Sequence, residues 1–361
     1  LIRAIITAAE QNGLEPALMA PTGRAAKRLA ISSGRDADTI HKALEASVRE
    51  TGRTYFERNE ANPLEEDLII VDEASMLDIS LFYHLLCALK DGARLILVGD
   101  IDQLPPVGAG EPLKDLMSWG YVPIVRLKRI FRQEEGSGIV ENAALIRKGE
   151  MCVPDEAGEF RIVYAADDED AYRIVMDLCR ELNYGNEENK MLLQVLSPMY
   201  RGVCGVDHLN ESLQEMIHGE KVPDGMKFFP GDKVMQTRND YEKGIYNGDV
   251  GTVWTATPQK VFVHYFDKEV VYEGEERFDL RLAYAVTVHK SQGSEYETVI
   301  FILRPSQHNM LQRNLLYTGV TRARKNTILV TAPDALRRAL AIQHTGNRYS
   351  LFLPFLNHEA L

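Results

Sequence analysis

The chain contains little cysteine and no long apolar run. Its 361 residues include four cysteines, and no two of these form a C-x-x-C pair, which favours reduced, mostly buried thiols and excludes a disulfide framework. No apolar run approaches the roughly 20 residues that a membrane-spanning helix needs. No basic segment followed by an apolar one opens the chain, so a secretory signal is excluded. The composition predicts a cytoplasmic protein without a membrane partner.

Two other features are missing. The pattern G-x-x-x-x-G-K-[ST] is absent, so the sequence has no Gly-rich loop of the kind that holds nucleotide phosphates. No cluster typical of a metal-dependent nuclease is present either. The net charge of −12 argues at first against a nucleic-acid partner, but residues 150–190 hold twelve acidic and four basic residues. The remaining residues carry a net charge of only −4, so a positive groove stays possible on them.

Short apolar strands alternate with helices in the first third of the chain. We predict helices over 2–11, 24–32 and 79–89, and strands over 16–20, 68–71 and 94–98. This alternation is typical of a parallel sheet that is covered on both faces. The polar stretch 45–66 interrupts it and is predicted to be a small hairpin insertion.

A second α/β unit follows, with predicted strands over 160–164, 192–196, 298–303 and 327–330. Between its halves, glycines punctuate β-rich segments over 233–236, 251–254 and 260–266, which predicts a small antiparallel barrel of the SH3 type. The fold class is therefore α/β, with two parallel-sheet domains and a small inserted barrel. We place the first domain at 1–130, the second at 131–226 and 283–361, and the inserted barrel at 227–282.

Paired carboxylates end the strand at 68–71. At a strand tip, Asp72 can hold Mg²⁺ through water, and Glu73 can accept the proton of an attacking water. An acidic cap on the following helix explains the same residues about equally well. The next strand ends in Gly99-Asp100, and the polar Gln103 beyond it is placed to sense a γ-phosphate. Two adjacent strands that end in this way favour a nucleotide site.

Six motifs in order resemble a known family. They are Ala20-Pro21-Thr22-Gly23-Arg24, Asp72-Glu73-Ala74-Ser75, Gly99-Asp100-Ile101-Asp102-Gln103, Arg129-Ile130-Phe131-Arg132-Gln133, Thr287-Val288-His289-Lys290-Ser291-Gln292-Gly293-Ser294-Glu295 and Tyr317-Thr318-Gly319-Val320-Thr321-Arg322. Each resembles a motif of superfamily-one DNA helicases of the RecD-like type, the family of the exonuclease V alpha subunit. The segment Thr39-Ile40-His41-Lys42 resembles a further DNA-contacting segment of that family.

The resemblance implies that the two parallel-sheet domains are RecA-like motor domains, the first of them truncated at its N-terminus. It also implies an ATP-dependent 5′→3′ DNA helicase that uses ATP and Mg²⁺ and acts in recombination or repair. Two lobes would close on ATP and ratchet single-stranded DNA through a shared groove. The implied catalytic residues are Asp72, Glu73, Gln103 and the two arginine fingers, Arg132 and Arg322. The implied nucleotide contacts are Gly99, Asp100, Gly293 and Glu295. Taken alone, each arginine is better explained as part of a surface salt bridge.

A different set of residues is implied to contact single-stranded DNA. In the first domain these are Pro21, Thr22, Gly23, Arg24, Thr39 and His41, and in the second they are Thr287, His289, Lys290 and Ser291. For His289 a general-base role is less favoured than donation to a phosphate, because Glu73 fills that role. Tyr200, Tyr241, Tyr246 and Trp254 are candidates for base stacking, but packing in the core or the barrel is the more common role of such residues. Clamping of DNA by the barrel and a purely structural barrel are equally supported.

The absence of the Gly-rich phosphate loop changes the activity that the resemblance implies for this chain. The family's loop would end a few residues before Leu1, so the chain is expected to be a fragment with negligible ATP hydrolysis of its own. Two alternatives stay open: a non-hydrolysing fragment that binds single-stranded DNA, and the helicase region of a conjugative relaxase. Recombination or repair proteins are possible partners.

Overall fold

The computed structural model describes residues 1–48, 54–127, 136–223, 225–240, 242–266, 268–343 and 352–357. These residues form two compact units, which we describe separately. The first contains the described residues of Leu1–Leu127 and a short helix over Phe352–Leu356, and the second contains the described residues of 136–343. None of the helices in these ranges is long and apolar enough to cross a membrane.

The first unit alternates helices and strands as predicted. In chain order its elements are α1 (Ile2–Gln11), β1 (Pro16–Ala20), α2 (Gly23–Ser33), β2 (Asp38–Thr39), α3 (Ile40–Ala43), β3 (Ala46–Val48), β4 (Thr54–Phe56), β5 (Leu68–Val71), a 3-10 helix (Ala74–Met76), α4 (Ile79–Cys87), β6 (Arg94–Leu97) and α5 (Pro112–Trp119).

Four of these strands form one parallel sheet in the order β2-β1-β5-β6. The run Leu68–Val71 is apolar throughout because both of its faces are buried. Ile69 and Val71 belong to one core cluster with α4, whereas Leu68 and Ile70 belong to another with α1 and α2. Successive strand residues point to opposite faces, so a continuous apolar run requires helices on both sides.

Two smaller features complete the first unit. The predicted insertion is present as an antiparallel pair, β3 with β4. The helix Phe352–Leu356 corrects one domain assignment, because residues 283–361 were all predicted to belong to the second domain. The Phe352 ring instead packs against Phe82 in an edge-to-face arrangement, with the ring centroids 5.8 Å apart.

The second unit holds a parallel sheet and a barrel. Its elements are α6 (Gly138–Lys148), β7 (Phe160–Tyr164), α7 (Asp168–Glu181), α8 (Glu187–Leu192), β8 (Leu193–Ser197), α9 (Val206–His218), β9 (Lys233–Gln236), β10 (Val250–Ala256), β11 (Lys260–His264), β12 (Glu269–Glu273), a 3-10 helix (Gly274–Asp279), β13 (Leu280–Leu282), β14 (Ala285–Thr287), a 3-10 helix (His289–Ser291), β15 (Tyr296–Leu303), a 3-10 helix (Pro305–Met310), α10 (Arg313–Val320), β16 (Ala323–Thr331) and α11 (Pro333–Ala341).

The predicted fold class is confirmed in this unit. Strands β14-β8-β15-β16-β7 form the parallel sheet, and β12-β11-β10-β9-β13 form an antiparallel sheet inserted between β8 and β14. Alternate barrel residues point inward and form a separate core, which includes Val253, Val261, Val263, Val270 and Tyr272. The barrel thus has its own apolar interior.

Two adjacent charged residues, Asp232 and Lys233, are fully buried where the barrel begins. The Asp232 carboxylate accepts hydrogen bonds from α9, from the loop before β9 and from the Tyr284 hydroxyl. Lys233 Nζ donates to the carbonyl of Leu193 and to Oε1 of Gln194, both at 3.0 Å. Because buried charges are costly unless they are bonded, these contacts fix the barrel on the sheet of the same unit.

Candidate functional site

The carboxyl edge of the first sheet collects four of the predicted motifs. Because β2, β1, β5 and β6 run parallel, their carboxyl ends lie at one edge in that order. Thr39 ends β2, Thr22 follows β1, Asp72 follows β5 and Gly99 follows β6. Ligands of open α/β sheets bind outside the carboxyl ends of the strands. The predicted DNA contacts therefore occupy one half of this edge, and the predicted nucleotide contacts occupy the other.

The carboxylate pair sits on strained backbone. Glu73 has φ 52° and ψ 37°, in the left-handed region that residues other than glycine seldom adopt. Its amide donates to Oδ1 of Asp72 at 2.9 Å, and the Asp72 amide donates to the Met19 carbonyl at 2.9 Å. Strain of this kind is retained where the surroundings over-determine it, which is common at functional sites. Both carboxylates are half-buried.

Gly99 lies against the turn that carries the carboxylates. A Cβ at this position would stand 2.8 Å from the Ser75 amide nitrogen and 2.9 Å from Cδ2 of Leu113. Only glycine therefore lets the loop after β6 approach the turn after β5 so closely. The Ala74 amide donates to the Val98 carbonyl at 2.8 Å and joins the two turns.

Beyond Gly99 the loop forms a turn of its own. Oδ1 of Asp100 accepts from the Asp102 amide at 3.0 Å, and the Gln103 amide donates to the Asp100 carbonyl at 3.2 Å. Gln103 and Ser75 line the same small pocket. The Ser75 hydroxyl is buried there without a hydrogen-bond partner among the described residues. The two turns thus form one packed structure.

The threonines predicted to contact DNA cap helices. Oγ1 of Thr22 accepts from the Ala25 amide at 3.3 Å, and Oγ1 of Thr39 accepts from the Lys42 amide at 3.1 Å. Each hydroxyl keeps its own proton for donation to a ligand. Burial lowers the pKa of His41 below its usual 6.5, and the Asp78 carboxylate offsets part of that shift. Next to the Thr22 cap, Pro21 and Arg24 are half-buried and Gly23 is buried.

The amino edge of the second sheet holds the predicted finger Arg322. Its side chain is 3% exposed. Nε donates to the Thr318 carbonyl and Nη1 donates to the Ser294 carbonyl, both at 3.1 Å. Gly293, at φ 72°, makes the turn that brings this carbonyl into place. Glu295 forms an ion pair with Arg324, since both Nε and Nη2 of that arginine lie 2.8 Å from its Oε2.

The crossover from β14 to β15 holds the remaining predicted DNA contacts. Oγ1 of Thr287 accepts from the Lys290 amide at 3.2 Å, and the buried Ser291 hydroxyl donates to the Val288 carbonyl at 2.7 Å. Lys290 Nζ donates to Oδ1 of Asn247 in a barrel loop at 2.6 Å. Burial lowers the pKa of His289, which is therefore neutral at pH 7. Of these four side chains, His289 and Lys290 are the two that are partly exposed.

Some predicted residues lie outside the described ranges. Arg132, with the motif at 129–133, is one of them, and Tyr241 is another. The described residues contain no group of three or more His, Cys, Asp or Glu side chains arranged to hold a metal ion. Sequence reasoning missed the buried pair Asp232 and Lys233. The signal that could have found it is a pair of adjacent charged residues, the second of which is the first residue of a buried strand.

Comparisons with known proteins agree with this architecture. Residues 1–161 match the model of an AAA domain, residues 209–265 that of the ATP-dependent RecD-like DNA helicase SH3 domain, and residues 282–330 that of the UvrD-like helicase C-terminal domain. The fold is also similar to the crystal structure of Bacteroides Pif1 bound to ssDNA, with a TM-score of 0.54 and 20% identity over 91% of this chain and 84% of that one.

Two curated relatives cover nearly the whole chain. The ATP-dependent RecD2 DNA helicase of Deinococcus radiodurans is 38% identical over 97% of this chain and 47% of its own length. The RecBCD enzyme subunit RecD of Mycolicibacterium smegmatis is 32% identical over 93% of this chain and 66% of its own length. This chain thus spans about half to two thirds of these relatives. It belongs to the RecD-like family of superfamily-one DNA helicases.

Proposed function

We propose that this chain is the motor region of an ATP-dependent DNA helicase that moves 5′→3′ along single-stranded DNA. The main support is the carboxyl edge of the first sheet, where Asp72, Glu73 and Gly99 lie on adjacent strand ends. A family whose named members include an ATP-dependent helicase makes nucleotide hydrolysis the reaction that best fits these carboxylates.

The donor set at this edge fits Mg²⁺. Asp72 supplies hard carboxylate oxygens at a strand tip, and Mg²⁺ is commonly held by one or two carboxylates, water and nucleotide phosphates rather than by a protein cage. When bound, the ion would neutralise charge on the β- and γ-phosphates of ATP. Glu73, whose direction is set by its left-handed backbone, would accept the proton of the attacking water.

Three further side chains have proposed roles in hydrolysis. Gln103 would respond to the γ-phosphate from the loop packed against Ser75. Arg322 and Arg132 would contribute positive charge to the transition state, in which negative charge spreads over the γ-phosphate oxygens. The carbonyls of Thr318 and Ser294 accept hydrogen bonds from Arg322 and hold its guanidinium in place.

DNA contacts are proposed at both units. In the first unit, Thr22 and Arg24 stand at the N-terminus of α2, where backbone amides and the helix dipole favour a phosphate. Thr39 and His41 lie beside them at the end of β2.

Since the relatives include a subunit of the RecBCD enzyme, recombination or repair proteins are proposed partners.

The test is DNA-stimulated ATP hydrolysis by the purified full-length protein that contains this chain, because the chain itself has no Gly-rich phosphate loop. Glu73→Gln should lower kcat by about 10²- to 10⁴-fold while the affinity for single-stranded DNA is kept, and Arg322→Ala should abolish hydrolysis in the same way. Glu65→Gln, at an exposed position of the same unit, is the matched control. Unchanged turnover in Glu73→Gln would refute the assignment. DNA binding by the wild type without any hydrolysis would instead support the non-hydrolysing alternative.

A further inference from the structure

Tyr200 is an aromatic side chain held outward at the carboxyl end of β8. It follows that strand by three residues and is 42% exposed. Its carbonyl accepts from the Asp207 amide at 3.0 Å, and the Ser197 hydroxyl donates to the Cys204 carbonyl across the same loop at 2.6 Å. Gly205 closes the loop so tightly that a Cβ there would lie 2.5 Å from the Tyr200 carbonyl oxygen. The ring therefore projects from a rigid support.

Arg281 covers this ring from the barrel. Its guanidinium carbon lies 5.9 Å from the centroid of the Tyr200 ring. Arg281 is exposed on β13, and the chain passes from β13 into β14 within two residues. A cation at this distance from an aromatic face is attracted by the ring. Together the two side chains present an aromatic ring and a positively charged guanidinium, and both kinds of group stack on bases.

Two lysines stand close to Arg281. Burial lowers the pKa of Lys290, and the charge of Arg281 lowers it further. The pKa of Lys227 is lowered by burial and then by Arg281 and Arg277. Nζ of Lys227 donates to the Leu280 carbonyl at 2.7 Å, and Nζ of Lys290 donates to a neutral amide oxygen. Cations gathered in this way repel one another, so an anion bound among them is favoured.

We propose that Tyr200 and Arg281 form a platform on which one base of single-stranded DNA stacks, while Lys227 and Lys290 contact the flanking phosphates. The observations behind it are the exposed Tyr200 ring beside Arg281 and the bond from Lys227 to the carbonyl of the residue before Arg281. Lys290 follows β14, whose carboxyl end lies beside that of β8. The inference rests on the proposed function and deepens it, because it assigns a base contact to the second unit.

The first test measures the affinity for a fluorescein-labelled dT 20-mer by anisotropy. Tyr200→Ala should weaken binding by about 5- to 100-fold, the range found for loss of one stacked base, and Tyr200→Phe should stay within about twofold of wild type. Tyr164→Ala is the matched control, since Tyr164 is 53% exposed at the end of β7. A Tyr200→Ala protein that binds like Tyr164→Ala overturns the platform.

The second test measures salt dependence. Lys227→Ala should reduce the slope of log affinity against log salt by about 0.7, the value for one lost single-strand phosphate contact. Arg173→Ala, exposed on α7, should leave the slope unchanged. An unchanged slope in Lys227→Ala overturns the phosphate assignment.

Separate outcomes distinguish this inference from the proposed function. Normal DNA-stimulated ATP hydrolysis together with wild-type affinity in Tyr200→Ala overturns the platform alone. Absence of binding to dT 20-mer by the wild type at low salt overturns both. Tenfold tighter binding to an rU 20-mer than to the dT 20-mer overturns DNA as the ligand.

Discussion

Replacing Asp232 by alanine should destabilise the second unit strongly. The carboxylate is fully buried and accepts from the Phe229 amide at 2.7 Å, the Tyr284 hydroxyl at 2.8 Å, His218 Nε2 at 2.9 Å and Gln214 Nε2 at 2.5 Å. In Asp232→Ala all four donors lose their acceptor. His218, whose side chain is 18% exposed, and the part-buried Phe229 amide can reach water, but the buried Gln214 amide and Tyr284 hydroxyl cannot.

The size of the loss follows from these orphaned donors. A buried donor without a partner costs about 1–3 kcal/mol, so the two that water does not reach set the loss at about 2–6 kcal/mol. For a unit of about 200 residues, 1 kcal/mol lowers the melting temperature by about 2–4 °C. We therefore expect a decrease of about 4–24 °C. Asp232→Asn keeps the volume and an acceptor oxygen, so its loss should be smaller.

The assay is thermal unfolding followed by far-UV circular dichroism, with hydrogen exchange of β9 as a local measure. Asp177→Ala is the matched control, because Asp177 is 73% exposed and pairs with an exposed arginine on the same helix. Surface pairs of this kind contribute about 0–1 kcal/mol. If Asp232→Ala melted within about 2 °C of Asp177→Ala, the hydrogen bonds around the carboxylate would not stabilise the unit, and the reasoning would be refuted.

Three further predictions concern single side chains. Burial raises the pKa of the thiols of Cys152, Cys179 and Cys204 to about 12, so at pH 8 only about one in ten thousand of each is ionised. Ellman's reagent should therefore label Cys87 alone in the folded chain, and rapid labelling of a second thiol would contradict this. Burial lowers the pKa of His289 in the folded state, so the unfolded state binds more protons below pH 6.5 and the free energy of unfolding decreases as the pH is lowered. Measured by urea unfolding, this free energy should decrease less in His289→Gln than in the wild type between pH 7 and pH 5. Equal decreases in the two proteins would argue against this reasoning. Gly99→Ala should destabilise the first unit by about 1–3 kcal/mol, because the Cβ of the new alanine overlaps the Ser75 amide. An unchanged melting temperature would show that the loop shifts enough to remove the overlap.

Much of the fold was predictable because its strands are apolar runs bounded by turn residues. The strands at Pro16–Ala20, Leu68–Val71 and Phe160–Tyr164 match the prediction residue for residue. The prediction for β16 began at 327, whereas the strand begins at Ala323. The first part of the strand is polar, but Arg324 pairs with Glu295, just before β15, and Lys325 pairs with Glu297 on β15. Ionic pairing between strands leaves no apolar signal.

The site was predictable in position but not in detail. Residues that follow strand ends gather at one edge whatever their side chains do, so the motif positions followed from topology. The burial of individual side chains did not follow from topology, because it depends on segments that are distant in sequence. Ser291 and Arg322 are enclosed by the crossover and by α10, and Asp232 finds Tyr284 52 residues away. Hydrogen bonds over such separations have no counterpart in local sequence pattern.

The crossover from β14 to β15 connects the two edges of the second sheet. It begins at the carboxyl edge, where Lys290 touches the barrel, and it ends at the amino edge, where the Ser294 carbonyl holds Arg322. Between them, the amides of Ser291 and Ser294 donate to the carbonyls of Val288 and Ser291 in two consecutive turns. Two consecutive turns therefore separate the residue that contacts the barrel from the carbonyl that holds Arg322, so the position of Arg322 depends on the same few residues that present Lys290.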